Sequence, residues 1–288
     1  MLQLASSLLS DPEIATLKKL QDKLDALSLF EKKTKKAQLL WDAKGSPTYK
    51  STFSGIKANL MSLTVYVETC NYCEHNEATD IEHIYPKSFF PEKTFVWDNY
   101  LLACKICNTT YKLDQCLVVS GSGQTIRVNR GHQAPFPQLA FINPRIEDPN
   151  QFLYMNTLTW KFDLLANLNP VDIAKAKGTI EILQLNTRSL LTKARKDNAV
   201  YIFERLDKLQ RILAAGDFDE IKQIISPYNH LDISKPLAEM KTNLKASFLA
   251  DIHKKAHPSV WYWIRKISSK TEPKWIEIFA KFPDLVLG

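Results

Sequence analysis

The chain has 288 residues, 45% of them hydrophobic, a balance that excludes a disordered polypeptide and allows one large domain or two small ones. Its formal net charge of +7 favours an anionic partner, because lysine and arginine in excess attract polyphosphate through screened water. Nowhere do roughly eighteen apolar residues run together, the length a membrane span needs, and the opening M-L-Q-L-A-S-S-L-L-S-D-P-E has no basic start and reaches Asp11 and Glu13 too soon for a leader. The expectation is a cytoplasmic protein with no membrane attachment.

In chain order, Asp11-Pro12-Glu13 reads as a helix start with Asp11 as its cap, followed by Ile14, Leu17, Leu20, Leu24 and Leu27 at helical spacing. The pattern breaks at Gly45-Ser46-Pro47 and a second helix runs from near Tyr49 towards Val67. The basic run Lys32-Lys33-Thr34-Lys35-Lys36 is read as a solvated helix end in preference to a phosphate contact. After a cysteine-bracketed block come a hairpin in L-V-V-S-G-S-G-Q-T-I-R-V-N and a strand pair from Phe152 to Phe162 with Met155-Asn156 near its turn. Asn169-Pro170 starts a helix whose stripe continues through Ile173, Ile180, Leu183, Leu190, Leu191 and Ala194. Further helices follow over Tyr201–Ala215, Phe218–Ile225 and Lys235–Ile252. V-W-Y-W-I-R-K and W-I-E-I-F-A-K-F are read as core-facing aromatic stripes in preference to a base-stacking platform. The expected organisation is a helical region over 1–65, a cysteine-clipped core over 66–116, a loop and hairpin extension over 117–165 and a helical region over 166–288.

Four of the five cysteines form two C-x-x-C pairs, Cys70/Cys73 and Cys104/Cys107. Two such knuckles about thirty residues apart suit a tetrahedral zinc ion with no open position, hence a structural one. A redox pair would open a helix after a strand in a thioredoxin-like unit, which the sequence lacks. His75 is close enough to the first knuckle to be a substitute ligand, but four cysteines already fill the site. Cys116 reads as a small buried hydrophobe.

Everything from Glu74 to Ala103 is then a stapled loop. Within it Asp80-Ile81-Glu82-His83-Ile84 reads as a strand, Tyr100-Leu101-Leu102-Ala103 as a second, and the segment from Asn108 to Lys112 as a helix. Glu82-His83, Asn99 in W-D-N-Y-L-L-A-C and Asn108 in C-K-I-C-N-T-T-Y-K together resemble the HNH endonuclease family, in its zinc-knuckle branch. The resemblance implies an α+β, mostly helical protein in which a zinc-stabilised ββα-metal (HNH) core sits between N- and C-terminal helical regions. A narrower resemblance, to the HNH nuclease subunit of Septu-type and retron-associated anti-phage systems, extends through F-I-N-P-R-I-E-D-P and G-T-I-E-I-L-Q-L-N-T-R-S-L-L over roughly residues 66 to 195.

What the resemblance implies is a metal-dependent endonuclease acting on nucleic acid, DNA in the first instance. It makes His83 the general base, Glu82 and Asn108 the ligands of a catalytic Mg2+ or Mn2+, and Asn99 a brace that orients His83. Lys87 and Lys105 would position phosphates. The resemblance further implies a role in anti-phage defence with an ABC-type ATPase subunit as partner; this chain has no G-x-x-x-x-G-K-[ST] loop, so ATP use would belong to that partner. Two departures stand out: many family members carry Asp where this chain has Glu82, and the interval from Asn108 to Lys112 is longer than usual. His132, His230, His253 and His257 belong to no motif. The rival readings are a zinc module that binds nucleic acid or docks a partner without catalysis, and a protein-interaction scaffold.

Overall fold

In the computed structural model, which describes residues 1–64, 68–225 and 231–286, the first helix α1 covers Asp11–Asp25 and is capped one residue earlier than the sequence suggests. The Glu13 carboxylate accepts hydrogen bonds from both the N–H and the hydroxyl of Ser10, each at 2.9 Å, so Ser10 is the cap and Asp11 opens the helix. The expected long first helix is in fact two. α1 closes at Ala26, whose N–H donates to Asp22, and α2 (Phe30–Asp42) begins after Leu29, with no glycine or proline to mark the bend. After a 3-10 turn at Ala43–Gly45, α3 runs over Lys50–Ser62. Val67, the expected end of this helix, and His230 lie outside the described residues.

Strand β1 (Asp80–His83) pairs antiparallel with β2 (Tyr100–Ala103), matching Glu82 to Leu101 and His83 to Tyr100. The expected helix after β2 is π-helical over Ile106–Lys112; Leu113 N–H donates to the Asn108 carbonyl five residues back at 2.7 Å, and Leu113 itself takes a φ of 43°. The glycine hairpin forms as β3 (Cys116–Val119) and β4 (Thr125–Val128). A third two-stranded sheet joins β5 (Leu153–Asn156) to β6 (Lys161–Leu164). Met155 and Asn156 end the strand next to the turn, as expected, and the Asn156 side chain accepts from Leu158 and Thr159 N–H and so starts the turn.

The chain forms two compact units, one of residues 1–154 with 161–191 and one of residues 155–160 with 192–288. In the first, Leu17, Leu20, Leu24, Phe53, Ile56 and Leu60 of α1 and α3 are buried, and α4 (Pro170–Leu183) packs beside β3 through Val119, Ala140 and Ala174. The stripe expected to run on to Ala194 is interrupted. Gln184 turns left-handed at φ 49°, Leu185 N–H caps back to Ile180, and Asn186 exchanges hydrogen bonds with the backbone of Phe162 before α5 (Ser189–Ala214) starts. The second unit holds most of α5, with α6 (Phe218–Ile224), α7 (Leu237–His253), α8 (Pro258–Trp263), α9 (Ser269–Thr271) and α10 (Pro273–Lys281). Both aromatic stripes face its core, with Trp261, Trp263, Trp275 and Phe279 buried. The fold is α+β and mostly helical, with small strand pairs, as expected. Among the described residues no helix is long and apolar enough to cross a membrane.

Gly178 sets how close α4 comes to the loop beneath it: a Cβ there would lie 2.0 Å from the Ala140 carbonyl oxygen. Gly178→Ala should therefore destabilise the protein by roughly 1–3 kcal/mol through overpacking, against a helix-propensity gain of about 1 kcal/mol. A urea midpoint that stays level or rises would show that α4 stands further off than this.

Candidate metal centre and active cleft

The two knuckles close on one another. Cys70, Cys73, Cys104 and Cys107 are all buried, and their sulfur atoms lie within 4.8 Å of one another. Each knuckle is shaped by its own backbone: Glu74 N–H returns to the Cys70 carbonyl at 2.8 Å with Glu74 at φ 59°, and Cys107 N–H donates to Cys104 Sγ at 3.4 Å. Asn76 Nδ2 donates to the same sulfur at 3.7 Å, and the Arg188 guanidinium reaches Cys107 Sγ at 3.3 Å. Burial pushes the Cys70 thiol well up, while hydrogen bonds from neighbouring cysteines hold Cys73 and Cys104 down, and a bound cation would favour the thiolate form of all four. The donor set is compatible with structural zinc. His75 takes no part in this four-residue group.

On β1, alternation sends Asp80 and Glu82 to one face and Ile81 and His83 to the other. His83 is buried against Trp41 of α2, with ring centres 4.2 Å apart, and against Tyr100 at 5.2 Å. Its Nε2 lies 2.9 Å from the Thr94 carbonyl oxygen. A carbonyl only accepts, so Nε2 carries the proton and Nδ1 keeps the lone pair. Burial lowers the His83 pKa to about 3, with Lys87 adding to the effect and the Thr94 bond opposing it, so the ring is neutral at ordinary pH.

Asn99 is buried and fully engaged: its Oδ1 accepts from Tyr85 N–H at 2.7 Å, while Nδ2 donates to the carbonyls of Lys93 at 2.8 Å and Tyr85 at 3.1 Å. Asn108 instead donates from Nδ2 to Asp80 Oδ2 at 3.0 Å. Glu82, His83, Lys87 and Asn108 line one cleft of about 420 Å³, with Asp114 and Arg130 in contact across it. Asn99 lies behind the cleft, and Lys105 is exposed and does not line it. His132 is exposed, His253 lies near Trp261, and His257 is buried in the second unit.

Three contributors carry no sequence motif. Lys112 is buried, donating to Glu82 Oε1 at 2.5 Å and to the His83 carbonyl at 2.6 Å. It opposes the rise that burial imposes on the Glu82 carboxyl. Asp80 meets Asn108, a placement readable from its position two residues before Glu82 on a strand. Trp41 comes from about forty residues away, and nothing local in the sequence announces it.

Glu82 and Asn108 thus line the cleft, while Asp80, held by the Asn108 amide, lines the neighbouring cavity. Residues 70–112, from the first knuckle cysteine to Lys112, match the family model described as HNH endonuclease. No curated protein and no solved structure matches the chain. The matched segment supports a nuclease-type function.

Two outcomes follow from this geometry. Burial pushes the Cys116 thiol up to about 12, so it ionises only in strong alkali. In the zinc-loaded protein iodoacetamide should spare Cys116 and the four knuckle cysteines from pH 7 to 9, and a chelator should release the knuckle thiols, as read by peptide mass spectrometry. Separately, Lys112→Met leaves Glu82 buried without its partner and should cost about 3–5 kcal/mol in chemical denaturation. A loss under about 1 kcal/mol would mean that water reaches Glu82.

Proposed function

We propose that the chain is a metal-dependent endonuclease that hydrolyses phosphodiester bonds of DNA. The observation that carries this reading is the convergence of His83, Glu82 and Asn108 on one cleft within the segment that matches the HNH family. Hydrolysis needs an activated water, neutralised phosphate oxygens and a stabilised leaving oxygen. A divalent ion held by Glu82 and Asn108, with Asp80 beside them, would supply Lewis acidity toward the phosphate and the leaving oxygen. The chain's own part begins with His83: the Thr94 carbonyl keeps the proton on Nε2, so Nδ1 is the atom that takes a proton from water. Lys87, half-buried on the cleft wall, is placed to pair with a phosphate oxygen. Asn99 acts as a positioning residue, pinning Lys93 next to the Thr94 carbonyl that orients the ring.

A narrower proposal makes this nuclease the effector of a bacterial anti-phage system with an ABC-type ATPase subunit. Its support is the likeness of F-I-N-P-R-I-E-D-P and G-T-I-E-I-L-Q-L-N-T-R-S-L-L to the Septu and retron nuclease subunits. The second reading, a nucleic-acid-binding or partner-docking module without catalysis, draws on the zinc-compatible four-cysteine cluster and the net charge of +7, which binding alone would also use.

Supercoiled plasmid with Mg2+ or Mn2+ separates the two readings. Wild-type protein should cut, and His83→Ala should lower the rate by about 100-fold to 10,000-fold, the usual contribution of a general base. Plasmid bound equally by both proteins and cut by neither, with or without the neighbouring ATPase, would establish the binding module.

A further inference from the structure

Beside the catalytic cleft lies a second cavity of about 420 Å³ that shares three of its walls: Trp41, Ile81 and Asn108 line both. Its remaining walls come from the 3-10 turn after α2, from one face of α3 and from Thr79 and Asp80 at the start of β1. They present Lys44, Lys50 and Lys57, with the Ser54 hydroxyl between the last two. Lys50, Ser54 and Lys57 stand four and seven residues apart and so fall on one side of the helix. Phe53, Ile56 and Leu60 anchor that helix in the core, which makes the lysine row a fixed feature of the surface. Lys44 lies over the Trp41 ring at 5.0 Å, so its head group is held near the mouth of the cleft.

The charges in this groove are unbalanced. Among the described residues none of the three lysines forms an ion pair. Asp80, the one acidic residue on the walls, is engaged by Asn108 at the boundary with the cleft. Three cations fixed along a channel that opens onto a phosphodiester site await a chain of anions. From Lys50 to Lys57 the helix rises about 10 Å, close to three nucleotide steps of one DNA strand. The walls offer no row of exposed aromatic faces, since Trp41 and Phe53 are buried, so bases have little to stack upon and the sugar-phosphate backbone is what the groove fits.

We propose that Lys44, Lys50 and Lys57 form a phosphate track that grips the DNA strand on one side of the scissile bond and leads it past Asn108 into the cleft. The proposal rests on the reading of that cleft as a nucleic-acid site, and not on cleavage itself. It assigns to the N-terminal helices a part in substrate binding that is indifferent to sequence and sensitive to salt.

The test is the salt dependence of DNA binding by the full-length, zinc-loaded chain in a His83→Ala background. A fluorescein-labelled 20-base-pair duplex serves as the probe, from about 50 to 200 mM NaCl, the range over which phosphate contacts are lost. Lys44→Gln/Lys50→Gln/Lys57→Gln should reduce the slope of log K against log salt by about 2.7, at roughly 0.9 per phosphate released. Lys44→Arg/Lys50→Arg/Lys57→Arg should keep the slope, which separates charge from misfolding. Lys32→Gln/Lys35→Gln/Lys36→Gln, equal in charge removed but on α2 away from the groove, should change it by less than one phosphate's worth. An unchanged slope in the groove variant, or an equal fall in the α2 variant, overturns the track. If the His83-intact protein cuts plasmid while the groove variant keeps its slope, the track alone fails; a groove-dependent slope with no cleavage under any condition sinks the nuclease and leaves the track standing.

Discussion

The rest of the first unit depends on four buried thiols that share one small volume. Cys70, Cys73, Cys104 and Cys107 converge from two turns to within 4.8 Å, and burial works against the thiolate form of each sulfur. A bound cation reverses that balance, and the surroundings are arranged for the negative charge that four thiolates carry beyond a divalent ion. Cys107 N–H and the Asn76 amide aim at Cys104 Sγ, while Arg188, stacked 4.5 Å from the Tyr111 ring, aims at Cys107 Sγ. β1 and β2 are four residues each, too short for an isolated strand pair to persist in water. Clipping the chain just before β1 to the chain just after β2 lowers the entropy that their pairing must overcome.

With β1 fixed, the cleft is set by a short relay of hydrogen bonds. Asn99 binds the Lys93 carbonyl and both backbone groups of Tyr85, which fixes the loop between the strands at two points. The next carbonyl along, that of Thr94, accepts from both the Tyr100 hydroxyl at 2.6 Å and His83 Nε2 at 2.9 Å. A single oxygen therefore decides both the tautomer and the tilt of the imidazole, and Trp41 closes the other side of the ring. No group in this relay is free to turn without leaving a buried polar atom unsatisfied, a cost of about 1–3 kcal/mol each.

The sequence makes local chemistry legible and hides partners distant along the chain. The knuckles, the two strands around them and the acid-histidine pair can be read off because each is fixed by residues a few positions apart. The breaks after Asp25 and Leu183 are harder: one has no glycine or proline, and the other is made by Gln184, a residue with no special claim to left-handed backbone. Lys112 shows the same limit in the site. Its interval from Asn108 is longer than the family's usual one, and the π-helical turns carry its side chain back to Glu82 and the His83 carbonyl. Trp41 reaches the cleft, and the lysines of α3 the cavity beside it, only once three helices have packed, and no spacing rule anticipates that.

The Lys112–Glu82 pair bears on what the site is for. Two charges taken out of water lose several kcal/mol of hydration apiece, and a well-packed apolar pair of similar volume often stabilises a fold as well or better. A buried ion pair is therefore a poor means of joining β1 to the π-helix if joining is its whole purpose. This one is placed where its carboxylate also lines the cleft, beside a neutral imidazole with a free lone pair and a half-buried lysine. Lys112 opposes the rise that burial imposes on that carboxyl, so the pair sets a polar wall against the cleft. A polar wall maintained at such a cost favours chemistry over scaffolding as the reason for the arrangement. It accords with the endonuclease reading better than with a module that only binds.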